Sequence, residues 1–393
     1  MHQGFPHPTG PLAEAVQAQD LSGEFGRCGP DTLAGAFLRR FWQPVMLSEG
    51  LPLARARAVR IMGEDLTAYR TASGRAQIVQ ARCPHRSMAL SAARVEGEAL
   101  QCFYHGWTFD AEGQCIAQPA EEGGVGYASK VRIRSYPTRE YLGLVFAFLG
   151  EGGPPPFPHL DMYDTGGVID TMASYRECNY FEQIEISVDE VHFNFVHRNS
   201  QFADAGLNEE IPRIEGVETG YGIERRAIRG DSVRLSHFFM PNLLVSLVHS
   251  KYRGWGELAA WRVPVDDDSH ITFTVNLVHA EGEEAHEFCQ RRDARREVLR
   301  SLPNANEIAR AVLRGEISID SINERPDALV IQDLVAMMGC DAQRDRKRDS
   351  LGRSDRQLVL LRSIWKRELQ ALRDGTPLKS WTCPSGLQLS TGL

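Results

Sequence analysis

Cys83-Pro84-His85-Arg86 and Cys102-Phe103-Tyr104-His105-Gly106-Trp107 decide how this chain reads. Each stretch offers one thiolate and one imidazole, one residue between them in the first and two in the second. Zinc modules built on Cys₂His₂ keep like ligands together, as Cys-x₂₋₄-Cys followed by His-x₃₋₅-His. Here the ligand types are mixed, and the Cys83–His85 gap is too short for that pattern. An asymmetric 2Fe-2S cluster fits better, with two thiolates on one iron and two histidines on the other. Each loop then supplies one sulfur and one nitrogen, and Pro84 and Gly106 suit tight loops side by side over a cluster. A structural zinc site is the bland alternative, and it would be colourless. At these residues the chain offers a redox centre.

Around the loops the hydrophobic period is two. Val59-Arg60-Ile61 and Leu66-Thr67-Ala68-Tyr69 flank Gly63-Glu64-Asp65 and read as a hairpin. Short strands continue through Gln77-Ile78-Val79, Cys102 to Phe109 and Leu142 to Phe148, with Asp110-Ala111-Glu112-Gly113 as a turn. Gly152-Gly153-Pro154-Pro155-Pro156 closes the run, because prolines cannot continue a strand ladder. A small all-β domain over 45–150 therefore carries the four cluster ligands. Ahead of it, 1–44 holds a Gly/Pro/Ala-rich arm to about residue 28. A short helix follows it, capped by Gly29-Pro30-Asp31, with Leu33, Phe37 and Phe41 on one face. Behind it, 151–393 is mixed. Segments near 213–228, 232–250, 257–264 and 271–280 have strand character, while Glu284–Leu302 and Asp355–Arg373 read as helices. The class is α+β.

A second constellation is Val188-Asp189-Glu190-Val191-His192-Phe193-Asn194-Phe195-Val196-His197. Two histidines and an acid among apolar residues point to a buried metal. Non-haem iron oxygenases bind Fe(II) through two histidines and one carboxylate, leaving positions open for O₂ and substrate. His192 and His197 are five apart, so on an ideal helix they diverge by about 140°. A π-type turn would bring them together. Two structural histidines on an ordinary helix are the alternative.

The Cys–His loops, with Gly106-Trp107 after the last ligand, resemble the oxygenase branch of the Rieske family. Cys178-Asn179-Tyr180, Glu185, Asp189 to His192 and His197 are similar to the catalytic helix of the phthalate dioxygenase group. So are Phe41-Trp42-Gln43-Pro44, Val263 to Asp267, Gln332-Asp333, Asp345-Arg346 and Leu351 to Asp355, so the likeness spans most of the chain. Tyr180, Glu182 and Ile186 stand where Trp, Gln and Gly are usual, and Met338 to Gln343 departs from the usual run before Asp345-Arg346.

The resemblance implies an all-β Rieske domain packed on a helix-grip catalytic domain with an antiparallel sheet. It implies one 2Fe-2S cluster at Cys83, His85, Cys102 and His105, and one mononuclear Fe(II) at His192, His197 and Asp333. Asp333 sits in an apolar stretch, Ile331 to Val335, where a bare carboxylate is costly and a metal offsets the cost; Asp327 and Asp341 are the other acids in reach. Asp189 is implied to orient His192 and to reach His105 of a neighbouring subunit, which makes the assembly a homotrimer. The implied activity is O₂-dependent hydroxylation of a small aromatic substrate, or O- or N-dealkylation at the same iron. Electrons would come from a separate NAD(P)H-dependent reductase, flavin- and ferredoxin-type 2Fe-2S, or from a ferredoxin. A Rieske electron-transfer protein with an inert C-terminal domain is the reading from another class.

Composition narrows the rest. The 393 residues carry a net charge of −8, which argues against nucleic acid or an anionic membrane surface as partner. The arginine clusters at 291–296 and 344–348 are interleaved with acids and read as solvated helix faces. No secretory leader opens the sequence, and Leu142 to Leu149 is too short to cross a bilayer. Cys28, Cys115, Cys178, Cys289, Cys340 and Cys383 show no disulfide rhythm, which suits a reducing cytoplasm. His237, His249, His270 and His279 sit near strand-like segments, and Phe238, Met240 and Trp255 are candidates to line the substrate cavity. Asp266-Asp267-Asp268 reads as a turn between strands.

Overall fold

The computed structural model describes residues 20–121, 125–200, 206, 208–250, 254–340 and 345–391. The arm up to residue 19 and Asp341 lie outside the described residues. The helix α1 (Leu33–Leu38) starts where Thr32 Oγ1 accepts the Gly35 N–H at 3.1 Å. Residues 20–28 are pinned rather than loose: Phe25 is buried against Phe181, and Cys28 N–H donates to Asp267 Oδ1 at 2.9 Å.

Eleven short strands follow: β1 (Trp42–Leu47), β2 (Ala56–Ile61), β3 (Glu64–Arg70), β4 (Ala76–Gln80), β5 (Arg94–Glu96), β6 (Ala99–Gln101), β7 (Thr108–Phe109), β8 (Cys115–Ala117), β9 (Ser135–Tyr136), β10 (Thr138–Tyr141) and β11 (Leu144–Phe148). They form three antiparallel sheets, ordered β1-β11-β10, β2-β3-β4-β9 and β5-β6-β7-β8. The β2–β3 hairpin turns at Met62-Gly63, both with positive φ (50° and 74°), one residue earlier than the sequence suggested. A two-residue turn of this hand matches strand twist, and Gly tolerates it. The expected strand over Cys102–Phe109 is instead a loop to Trp107 followed by β7. Its reversal is made by Gly106 at φ 72° and by the Cys102 N–H to Trp107 O bond of 2.8 Å.

The second half is built on β12 (Val168–Arg176), β13 (Arg213–Glu218), β14 (Gly222–Arg229), β15 (Ser232–Phe239), β16 (Leu243–Ser250), β17 (Gly254–Pro264) and β18 (His270–Val278). They make one antiparallel sheet in the order β12-β18-β17-β16-β15-β14-β13, with β19 (Ser390–Thr391) on β15. Alternation splits this sheet into two unlike faces. One carries Trp261, Phe273 and Val275, and Trp261 meets Phe146 of β11 edge-on at 5.5 Å, joining the two halves. The hairpin tip adds two backbone bonds, Met62 N–H to Pro264 O at 2.7 Å and Gly63 N–H to Val265 O at 2.9 Å. The other face carries Arg176, Arg225, Arg234, Arg262 and Thr272 and looks toward the helices.

Those helices are α3 (Tyr180–Val188), α4 (His192–Phe195), α5 (Gly282–Ser301), α6 (Ala305–Leu313), α7 (Ala328–Gly339) and α8 (Arg356–Arg373), while the short α2 (Val125–Ala128) packs beside β8 in the β domain. Helix α8 buries Leu361, Ile364, Trp365 and Leu369, and Trp365 packs against Phe37 and Phe181. Arg346 corrects the reading of 344–348 as solvated: it is buried and pairs with Glu182 at 2.6 Å and Glu185 at 3.1 Å. Glu185 also takes Arg362 at 2.8 Å, so α3 and α8 are bridged by charge. No described helix is long and apolar enough to cross a membrane.

Candidate metal centres

The first centre lies at the tips of two loops. Cys83 and Cys102 are both buried, in the same small core. His85 and His105 lie half-buried beside them, ring centroids 4.5 Å apart. Trp107 stacks flat on His85 at 4.5 Å and 5°, which fixes that ring and gives the Trp after Gly106 a packing role. His85 Nδ1 and His105 Nδ1 are both buried with no hydrogen-bond partner. Two buried imidazole nitrogens without partners, on the loops that also carry two buried thiols, form a donor set that fits a 2Fe-2S cluster. Burial, with Cys102 beside it, pushes the Cys83 thiol up to about 12, so a bound metal is what makes a thiolate there. Cys115 lies in the same small core but gives its sulfur to Ala117 O.

The second centre is assembled from α3, α4 and α7. Asn179 Oδ1 accepts Phe181 N–H at 2.8 Å and starts α3, which ends where Asp189 turns extended. Asp189 Oδ1 then takes the N–H of Val191 at 2.8 Å and of His192 at 3.3 Å, starting a new short turn. The turn includes Phe193 N–H to Glu190 O, Asn194 N–H to Val191 O and Val196 N–H to His192 O, and His192–Phe195 is one turn of α-helix rather than the expected π-type turn. His197 lies just past the end of α4, in the turn that follows it, and the two imidazole ring centroids are 5.1 Å apart.

Asp333 joins them from α7. One ligand atom from each of His192, His197 and Asp333 lies within 4.8 Å of the other two. His197 Nε2 and Asp333 Oδ1 are 3.0 Å apart. The far nitrogens are occupied: His192 Nδ1 lies 2.6 Å from Asp189 O, and His197 Nδ1 lies 2.8 Å from Gln332 Oε1. With Nδ1–H donating, both Nε2 lone pairs point at the shared space, the arrangement that orients metal-bound histidines. Burial alone would raise the Asp333 carboxyl, yet His197, Arg176 and His192 hold it well below the usual carboxylate range. Burial likewise opposes charge on His197, but Asp333 holds its pKa above the ordinary histidine value. A dication in this space would replace the proton that His197 and Asp333 compete for. The residues fit Fe(II) with a facial ligand set.

Asp189 differs from the expectation in one respect: its backbone carbonyl meets the His192 imidazole, while its carboxylate takes the His192 backbone N–H. The other candidates stay apart from the triad. Asp327 pairs with Arg325 at 2.9 Å, and Asp266 closes its turn through Ser269 at 2.7 Å. His237 bonds Tyr221 and Gln388, and His279 pairs with Glu257. Buried His270 lies against Cys178 O, its pKa pushed down to about 3 by burial. Trp255 and Val248 pack near Phe193 and Leu329, and both line a cavity of about 190 Å³. Phe238 and Met240 are core residues.

Sequence reasoning missed Gln332 as the support of His197, and it missed Glu190. Glu190 is 2% exposed and binds Arg225 at 3.0 Å and Arg234 at 2.7 Å, fastening the Asp189–His192 turn to β14 and β15. Its adjacency to Asp189 was the available signal.

A model of the Rieske [2Fe-2S] domain matches residues 41–137. The chain is 30% identical over 373 residues to the oxygenase subunit of 5,5'-dehydrodivanillate O-demethylase of Sphingobium sp. (strain NBRC 103272 / SYK-6), covering 91% of this chain and 81% of the relative. It is 35% identical over 264 residues to the oxygenase subunit of 3-chlorobenzoate-3,4-dioxygenase of Comamonas testosteroni, covering 63% of this chain and 60% of the relative. Its fold is similar to the oxygenase of carbazole 1,9a-dioxygenase, solved in reduced complex with ferredoxin, with TM-score 0.64 and 18% identity over 95% of this chain and 98% of that one. The chain belongs to the Rieske non-haem iron oxygenases, as a terminal oxygenase component that holds a 2Fe-2S cluster and a mononuclear iron and draws electrons from a separate partner.

Proposed function

We propose that this oxygenase oxidises a small aromatic substrate at a mononuclear iron held by His192, His197 and Asp333. The cluster is held by Cys83, His85, Cys102 and His105, within a Rieske domain over 45–150 ahead of a catalytic domain over 151–393. When bound, the cluster carries electrons and the iron supplies O₂ activation. The observation that carries this reading is the convergence of two Nε2 atoms and one carboxylate within 4.8 Å, with both Nδ1 atoms occupied elsewhere. Asp189 O and Gln332 Oε1 orient the two imidazoles, and the core behind them keeps the site dry.

In this reading electrons pass between subunits of a homotrimer. His105 turns Nδ1 inward, which leaves Nε2 on the outer side of the ring. Asp189 commits Oδ1 to its own turn, and Oδ2 has no partner among the described residues. An outward Nε2–H and an open carboxylate oxygen are complementary, so Asp189 would accept a hydrogen bond from His105 of the partner subunit. Exposed Phe103 and Tyr104 flank the cluster tip as contact surface. The donor is a reductase with flavin and ferredoxin-type 2Fe-2S, or a ferredoxin, in the cytoplasm.

Two relatives are named for an O-demethylase and a chlorobenzoate dioxygenase, and both outcomes are compatible with one iron site. The test is turnover of an aromatic panel with a surrogate reductase under ¹⁸O₂. Labelled hydroxyl products or released formaldehyde support the proposal. No oxygen incorporation from any aromatic by iron-replete trimer contradicts it.

A further inference from the structure

The small core behind the cluster loops is bordered by a polar side chain with nothing to bond. Gln118 is 5% exposed, and neither its Oε1 nor its Nε2 has a hydrogen-bond partner among the described residues. A carboxamide carries two donors and one acceptor oxygen, and burying all of them unmade is costly. Buried polar groups are bonded in nearly every folded protein, so an orphaned amide calls for a partner that binds beside it.

Its neighbours along the chain say which partner. Ala117, the last residue of β8, pairs with Thr108 of β7. Pro119 lies against Gly106, its Cγ 3.2 Å from where a Cβ on that glycine would stand. Thr108 Oγ1 in turn donates to Gly106 O at 3.0 Å. Gln118 is thus held on both sides by the loop that carries Cys102 and His105. Ile116 points outward, 53% exposed, while Cys115 and Gln118 are buried. Cys115 shares its core with Cys83, Cys102 and Trp107. Burial raises the Cys115 thiol, and the Gln118 amide works against that rise without a bonding geometry of its own. The orphaned atoms on the cluster loops are His85 Nδ1 and His105 Nδ1. One group answers all three side chains: iron takes the imidazole lone pairs, and sulfur accepts an N–H.

We infer that Gln118 Nε2–H donates to a sulfur of the 2Fe-2S cluster and holds its reduction potential up. Hydrogen bonds to the sulfurs are among the determinants of such a potential. A donor binds more strongly as its acceptor gains negative charge, so it favours the form that carries the extra electron. That electron comes from the separate donor partner and leaves for the mononuclear iron, while the amide stays neutral and gives up no proton. Gln118 is here a positioning residue that acts through the cluster and touches no substrate. The inference rests on the cluster and is independent of the substrate class.

The test is a redox titration of holoenzyme at fixed pH. The cluster is followed by visible circular dichroism and by the paramagnetic resonance of its reduced form, with iron and acid-labile sulfide counted on the same samples. Gln118→Met keeps the length of the side chain and removes the donor. Its one-electron reduction equilibrium should shift roughly tenfold toward the oxidised form, a fall of about 59 mV, with sulfide content unchanged. Gln118→Asn withdraws the amide by one methylene and should fall in the same direction, which carries the test if the methionine variant holds less cluster. Cys115→Ala loosens the same core without touching the donor, and its potential should match the wild type's. An unchanged potential in both Gln118 variants would overturn the inference and leave the amide to a buried water. So would a rise, or an equal fall in Cys115→Ala, which would trace the effect to core packing. Wild type without acid-labile sulfide would sink the cluster assignment itself, whereas an unchanged potential leaves that assignment standing.

Discussion

Replacing Glu190 by glutamine removes the one negative charge that three buried arginines share. The carboxylate is 2% exposed and accepts from Arg234 Nη1 at 2.7 and 2.8 Å and from Arg225 Nη2 at 3.0 Å, with Arg229 at 3.9 Å. Arg225 also donates to the Ser187 carbonyl and Arg234 to the Leu247 carbonyl, so neither guanidinium can swing to water without breaking a second bond. Removing one partner of a buried, hydrogen-bonded ion cluster costs about 3–5 kcal/mol. Glutamine keeps one acceptor, which places Glu190→Gln near the lower end, about 3 kcal/mol. For a domain of this size that lowers the thermal midpoint by roughly 6–12 °C. The assay is differential scanning calorimetry of holoenzyme, with cluster absorbance followed in parallel to show that the β domain is intact. Iron should also be lost sooner on dialysis, because the turn that carries His192 is no longer fastened. A midpoint within about a degree of wild type would refute the reasoning, since it would mean the arginines are neutralised some other way.

Gln332→Leu should leave the fold in place while iron affinity drops about 10–100-fold, read by competition with a chelator, because His197 loses the partner that fixes its tautomer. Asp189→Asn keeps both metals but slows electron arrival at the iron sharply, measured by single-turnover kinetics; normal turnover would exclude the bridging role. Glu140→Gln should cost about 1 kcal/mol at neutral pH, since Arg70 binds that carboxylate at 2.7 and 2.9 Å near the surface. Arg70 lowers the Glu140 pKa from its ordinary 4.5, so its contribution is present above that pH and lost as pH falls through the folded value. Wild type and variant should therefore converge in stability in acid, and a gap that persists at low pH would contradict the pairing.

Residues whose chemistry is rare were legible in the sequence. Two Cys–His pairs with mixed order, and two histidines beside an acid, stand out in any ordinary globular composition, and the structure brings each set together. Asp333 became visible only through family likeness, because an acid contributed from 136 positions beyond His197 has no local signature. The local path between His192 and His197 was misjudged, since spacing alone does not tell a π-turn from one short α-helical turn followed by a further turn. Cys102–Phe109 was read as strand because it is apolar and aromatic, yet Phe103 and Tyr104 are exposed and the tight Cys102–Trp107 loop overrides strand propensity there. Arg346 read as surface because its neighbours are charged, while its partners Glu182 and Glu185 are more than 160 positions away. The arginine-rich sheet face was invisible for the same reason: its members are spread over four strands, and only antiparallel register lines them up.

Counting iron and acid-labile sulfide per chain, in wild type and in His197→Ala, tests the central claim most directly. The two-centre account predicts about three irons and two sulfides for wild type, falling to about two and two in the variant with the cluster's visible absorbance unchanged. Two irons and two sulfides in fully reconstituted wild type, or a third iron that survives His197→Ala, would contradict it.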